Sequence, residues 1–158
     1  MARMTADACN LGDRPGAMRQ EHPPTPEEIR AVLDSCRAVA VIGLSDDATK
    51  PAYGVSAFLK KRGYSVLPVH PKAEAALGEK VHRSVAAIPG RVDLVYMFRA
   101  ADAAPAVVEE AVAKGAKAVW MPEGVVHEEA ARRARQAGLA VVMDRCALKE
   151  ILKAAAAV

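Results

Sequence analysis

The chain has 158 residues, 52% of them hydrophobic, with 22 Lys+Arg against 19 Asp+Glu and a formal net charge of +3. That length and apolar content suit one domain with a sizeable core. The small charge and the 4% aromatic content argue against a nucleic-acid binder while leaving room for a local anion site.

Cys9, Cys36 and Cys146 are far apart and show no CxxC or Cys/His spacing, and His22, His70, His82 and His127 show no metal-ligand spacing. The expectation is reduced thiols in a cytoplasmic protein with no metal. No apolar run is long enough to span a membrane, and the N-terminus carries no apolar signal core.

Residues 1–24 have no periodicity and contain Gly12, Pro15, Gly16, Pro23 and Pro24. They read as a mobile tail ahead of a domain over residues 25–158, and Met4 and Met18 leave the true start open. Thr25-Pro26-Glu27-Glu28 is a helix start, with a capping threonine, proline at the first helical position and acids in the first turn. That helix is expected to reach about Ser35. Strand and helix signals then alternate. Ala38 to Ile42 is a buried strand, and Gly54 to Arg62 a helix closed by Gly63. Tyr64 to Val69 is a strand ended by His70-Pro71. Between Leu77 and Ile88 the pattern is mixed, with an edge strand at Lys80 to His82 and a turn of helix before Pro89-Gly90. Val92 to Phe98 is a strand and Ala103 to Lys114 a helix stopped by Gly115. Ala118 to Met121, a helix from Val126 to Ala137 with Gly138 after it, and Leu139 to Met143 continue the alternation. Leu148 to Ala157 is a terminal helix.

The helix-Gly-strand punctuation recurs at Gly63, Gly115 and Gly138. Repeated strand–helix–strand units predict a single Rossmann-like α/β domain: a mostly parallel sheet of five or slightly more strands, with helices on both faces. Ligands in such sheets sit beyond the carboxyl ends of the strands, where strand order reverses. The strand-end loops therefore decide function.

After the first strand Gly43 stands without the glycines of a G-x-G-x-x-G fingerprint until Gly54. After the second strand, where a dinucleotide site offers an acid to the ribose, the chain has His70-Pro71-Lys72. Both departures weigh against NAD and toward phosphate. Gly43, Ser45 and helix N–H groups near Tyr53 and Gly54 suit a pyrophosphate, with Lys50, Lys72 and Arg99 as further cations. Each lysine reads equally well as a solvated surface residue, Gly43 and Gly54 as turn and packing glycines, and Tyr53 as a packed cap. Trp120 is either core or a flank for an adenine or a thioester arm. Gly124 is expected to leave N–H groups facing the same crevice. Cys146, beside an arginine and a helix start, is either an inert half-buried thiol or a reactive one.

Val-Ile-Gly-Leu-Ser with a later Tyr-Gly-Val, then Val-His-Pro-Lys, Val-Asp-Leu-Val-Tyr-Met-Phe-Arg, Gly-Ala-Lys-Ala-Val-Trp-Met and Val-Met-Asp-Arg-Cys, resemble the stand-alone CoA-binding domain proteins. Their fold is similar to the N-terminal CoA-binding domain of the succinyl-CoA synthetase α subunit. The resemblance covers about Glu28 to Ile151. It implies that CoA is held by the loop after the first strand (Gly43, Ser45 and the stretch from Lys50 through Tyr53 to Gly54), by His70, Pro71 and Lys72, by Phe98 and Arg99, and by Met121, Pro122 and Glu123. His70 stands where many relatives have asparagine, and Pro122-Glu123 where stand-alone members usually carry a Leu/Met-Gln-type pair. CoA also suits the bare chemistry, since its esterified 3′-oxygen needs no ribose-binding acid.

The synthetases add a domain with a phosphorylated histidine, for which this chain has no length. The expected function is thus non-catalytic binding of CoA or acyl-CoA by a carrier, sensor or regulator, with no catalytic residues, nucleic acid or membrane involved. A mixed disulfide between Cys146 and the ligand thiol is one further expectation, and a homodimer or an unidentified protein partner stays open. The alternatives are an NAD(P)-binding module or small oxidoreductase, and a partner-binding domain without a small ligand.

Overall fold

The structure, a computed structural model, describes residues 23–156; almost all of the expected tail, residues 1–22, lies outside them, and so does Cys9. Thr25 opens α1 (Pro26–Ser35) with a reciprocal capping box: its hydroxyl accepts the Glu28 N–H at 3.1 Å, and the Glu28 carboxylate accepts the Thr25 N–H at 2.9 Å. β1 (Ala38–Ile42), α2 (Pro51–Lys61) and β2 (Ser65–Val69) follow, then a short hairpin of β3 (Ala75–Ala76) and β4 (Glu79–Lys80). The chain continues through β5 (Leu94–Met97), a 3₁₀ turn (Ala101–Ala103), α3 (Ala104–Lys114), β6 (Ala118–Trp120), α4 (Glu128–Gln136), β7 (Ala140–Val142) and α5 (Ala147–Ala156).

The sheet order is β2-β1-β5-β6-β7, every pairing parallel. Alternate strand residues face opposite sides, so one sequence lines two cores. Val39, Val41, Tyr96, Trp120 and Val142 pack with α1, α2 and α5, whereas Ala40, Ile42, Val95, Met97, Val119 and Val141 pack with α3 and α4. The expected α/β fold with helices on both faces is what forms. Because the chain leaves β1 toward β2 on one side and returns as β5 on the other, the strand order switches between β1 and β5. Their carboxyl ends are where such a sheet opens a crevice.

Two differences from the sequence reading concern the frame. The expected edge strand at Lys80 to His82 is instead the β3–β4 hairpin and a single parallel bridge from Val69 to His82, and the turn of helix before Pro89 is a non-helical turn. Second, Asp93 belongs not to a strand but to the sheet's other end. Buried to 1% exposure, its Oδ2 accepts the Arg37 and Ala38 N–H groups at 3.1 Å each, and Arg91 Nε lies 2.9 Å from Oδ1. It substitutes for the ladder partner that β1 lacks at its entry, and it sits at the end of the sheet away from the crevice.

Candidate functional site

β1 ends at Gly43, whose φ of +95° lies in the region that favours glycine. Its N–H continues the ladder to Val69 O at 2.7 Å. A Cβ placed there would lie 2.6 Å from Phe98 O, so only glycine lets the ends of β1 and β5 meet this closely. The loop beyond is a series of side-chain turns. Ser45 Oγ accepts the Asp47 N–H at 3.3 Å, and Asp47 Oδ1 accepts the Thr49 hydroxyl at 2.5 Å and its N–H at 3.0 Å. The Thr49 hydroxyl, then its N–H, hold the Asp47 carboxyl below its usual pKa. Asp46 Oδ1 accepts the Leu77 N–H at 2.8 Å, tying the β3–β4 turn, where Leu77 has φ 53°, to this loop.

Helix α2 begins at Pro51 rather than at Gly54. Proline fits the first helical position because its absent N–H would have no intrahelical partner. This corrects the expected anion cradle near Tyr53 and Gly54: the Tyr53 N–H is spent on Lys50 O at 3.1 Å. Gly54 is an exposed interior residue of α2, with nothing within 4 Å of a Cβ built on it.

At the exit of β2, His70 Nδ1 accepts the N–H groups of both Lys72 and Ala73 at 3.0 Å. An asparagine Oδ1 would make the same Asx-type turn, so the histidine performs a structural task here. Its Nδ1 lone pair is thereby used, and its proton is assigned to Nε2 by that network. Arg83 Nη1 donates to His70 O at 3.0 Å and closes the loop from behind.

The inner wall is aromatic. Tyr96 and Phe98 stack with centroids 4.5 Å apart, and Tyr96 meets Trp120 at 5.6 Å. Burial holds the Tyr96 phenol well above its usual pKa, so it remains a hydroxyl. This stack fixes the β7–α5 loop at successive points. Asp144, at φ 59°, turns the chain and accepts the Gly124 N–H at 2.8 Å; Trp120 Nε1 donates to Arg145 O at 2.7 Å; the Tyr96 hydroxyl accepts the Ala147 N–H at 3.1 Å. Cys146 is thereby held at the start of α5.

These loops enclose a cavity of about 670 Å³ over the carboxyl ends of β1 and β5, a size suited to a cofactor-like ligand. Of the residues expected to form a site, Gly43, Ser45, Lys50, His70, Pro71, Phe98, Arg99, Pro122 and Glu123 line it. Tyr53, Gly54, Lys72 and Met121 do not. Met121 is fully buried in the core, and Lys72 is an exposed residue just past Pro71. Trp120 is core, and the Gly124 N–H is already taken by Asp144. Ala52, Val55, Tyr96, Ala100 and Val125 complete an apolar wall that the sequence did not flag, because small and apolar residues inside helices and strands carry no local mark of a ligand. Cys146 lies on the same wall.

The charge of the cavity follows from its pairings. Lys50 Nζ and the Arg99 guanidinium make no hydrogen bond or ion pair with any described residue. The one acid on the wall, Glu123, is held by Lys149 Nζ at 2.9 and 3.0 Å, and the Glu123 hydrogen bond and charge in turn keep the Lys149 ammonium protonated above its usual range. The surplus is cationic, with no carboxylate at the end of β2 to take a ribose diol. Among the described residues, no group of three or more His, Cys, Asp or Glu is placed to hold a metal ion, and no helix is long and apolar enough to cross a membrane.

A parallel sheet with a cationic, apolar-walled crevice at its switch point defines a Rossmann-like ligand-binding domain. Sequence comparison refines this: the chain belongs to the CoA binding domain family, whose pattern matches residues 37–151. It is 36% identical over 123 residues to the Bacillus subtilis protein YneT, covering 78% of this chain and 91% of that one. A solved protein from Pyrococcus horikoshii OT3 superposes with a TM-score of 0.79 at 36% identity, over 85% of this chain and 97% of the other. The chain is also 33% identical over 95 residues to the ADP-forming acetate–CoA ligase II of Archaeoglobus fulgidus, where the match spans 59% of this chain but only 14% of the ligase.

Proposed function

We propose that the chain binds coenzyme A or an acyl-CoA in this cavity, without converting it, and works as a carrier, sensor or regulator. The observation that carries the reading is the cavity's charge: the Lys50 ammonium, whose charge also acts on the Asp47 carboxylate, and the Arg99 guanidinium make no hydrogen bond or ion pair with a described residue, while the one wall carboxylate, Glu123, is paired with Lys149. A ligand with a pyrophosphate and a 3′-phosphate at one end and a long, weakly polar arm at the other matches such a wall. The family membership supports the same ligand class.

The His70 lone pair at Nδ1 is already spent on two backbone N–H groups, which leaves that nitrogen no base role beside Cys146 or Ser45. The polar residues then bind and orient.

Calorimetric titration of CoA, dephospho-CoA and NADH into reduced protein tests the ligand. The expected result is CoA binding more tightly than dephospho-CoA, with NADH silent. Heat from NADH alone would overturn the reading in favour of a dinucleotide module. Incubation with acetyl-CoA, followed by thiol detection, tests the rest: thiol release above the protein-free rate would make the chain an enzyme.

A further inference from the structure

We infer that Asp144, which does not line the cavity, is a positioning residue for its ligand: it holds the wall segment 122–125 in the shape that binds. This rests on the CoA reading above. Pro122, Glu123 and Val125 line the cavity, yet they lie between β6 and α4 in a stretch that is neither helix nor strand. Within it the Val125 N–H donates to Pro122 O at 3.0 Å and closes one turn. A turn of its own does not fix where such a segment stands against the rest of the wall, because the dihedrals at its ends stay free.

The fastenings come from the chain that follows β7. The Arg145 N–H reaches Met121 O at 3.4 Å, Asp144 Oδ1 accepts the Gly124 N–H at 2.8 Å, and Lys149 Nζ meets the Glu123 carboxylate at 2.9 and 3.0 Å. They are not equal. The first is long. The third joins side chains that are 62% and 52% exposed, and such a pair is screened by salt and costs side-chain entropy to hold. The Asp144 bond is short, charge-assisted and made by a short side chain to backbone.

The backbone at both ends of that bond is left-handed, with φ 59° at Asp144 and 84° at Gly124. Glycine would take the Asp144 conformation at less steric cost. What aspartate adds at this position is its acceptor oxygen. Its base is firm as well: Trp120 Nε1 donates to Arg145 O at 2.7 Å, and the Tyr96 hydroxyl accepts the Ala147 N–H at 3.1 Å. Position is thus handed from the buried aromatic wall, through Asp144, to Pro122 and Val125. A segment held this way is ordered before the ligand arrives, so binding does not bear the cost of ordering it.

The test compares Asp144→Gly and Asp144→Asn with wild type in the full chain, by CoA titration, thermal melting and amide hydrogen exchange. Asp144→Gly suits the φ but removes the acceptor. Its Tm should stay within about 4 °C of wild type. Its Kd for CoA should rise about fivefold or more, and exchange at the Gly124 N–H should quicken about tenfold. Asp144→Asn keeps an Oδ1 acceptor and tolerates the same φ. It should bind CoA within about twofold of wild type, or more tightly, with slow exchange at Gly124. Both variants remove one negative charge, so a difference between them reports the acceptor. Wild-type affinity in Asp144→Gly would overturn the inference, as would an equal loss in the two variants. A wild-type chain that does not bind CoA sinks the ligand reading. Unchanged Gly124 exchange in Asp144→Gly sinks the positioning role, whichever way the titration turns out.

Discussion

Replacing Gly43 with alanine tests the geometry that brings β1 and β5 together. Two costs add. Alanine must adopt a φ near +95°, which costs about 1–2 kcal/mol or more for a residue with a Cβ. That Cβ would also lie 2.6 Å from Phe98 O, and the carbonyl cannot simply yield, because the neighbouring Phe98 N–H is bound to Ile42 O at 2.8 Å. Displacing packed backbone adds roughly 1–3 kcal/mol. The sum, about 2–5 kcal/mol, is a large part of a typical domain's stability of about 5–15 kcal/mol. For a chain of this size it corresponds to a fall in Tm on the order of 5–15 °C. Differential scanning calorimetry of Gly43→Ala reads this directly. Gly54→Ala is the matched control: with open space around it in an exposed turn of α2, it should stabilise by about 0.5–1 kcal/mol and leave CoA affinity unchanged. A Gly43→Ala protein melting within about 2 °C of wild type would refute the argument. Loss of CoA binding in Gly54→Ala would return that glycine to the site.

Other substitutions separate the remaining roles. Lys50→Ala should weaken CoA by about 1.5–3 kcal/mol through loss of a charge-assisted phosphate contact, and Lys72→Ala by less than about 1 kcal/mol, as befits an exposed lysine off the wall; calorimetry giving the reverse order would move the phosphates onto the β2 loop. His70→Asn should keep the turn, since Oδ1 can accept from Lys72 and Ala73, whereas His70→Ala should speed hydrogen exchange at those two amides; equal exchange in both variants would remove His70 from that task. Asp93→Ala leaves the Arg37 and Ala38 N–H groups without their acceptor and should cost about 2–4 kcal/mol in chemical denaturation while sparing the cavity; a near-neutral result would contradict its anchoring role. Asp47, whose folded pKa is depressed, stabilises its loop above the unfolded carboxylate value of 3.8 and loses that contribution as pH falls through its lower folded value. An NMR titration of Asp47 should therefore show a midpoint below 3.8, and one at or above it would disprove the Thr49 contacts.

Much of this molecule was legible without coordinates because the signals are local. Five apolar residues ending in Gly43, the Thr25 cap, and glycines closing successive helices declare strands and helices through periodicity and backbone preference, and their alternation leaves a parallel sheet as the natural outcome. The neutral-to-basic end of β2, His70-Pro71-Lys72, was equally readable, since the residue types alone offer no ribose-binding acid there. What distance along the chain hides, only the fold decided. Asp93 reads as one more strand residue until β1's entry is seen to need its oxygens. Tyr53 and Gly54 look like a cradle until Pro51 starts the helix a turn early, which spends the Tyr53 N–H on Lys50 O and leaves Gly54 inside the helix. Glu123 reads as a negative charge in the site until Lys149, on another element, cancels it. Val55, Tyr96 and Cys146 come from separate elements and share one wall because the switch in strand order between β1 and β5 opens the sheet there. A ligand site is made of such long-range coincidences, and sequence periodicity records only the short-range ones.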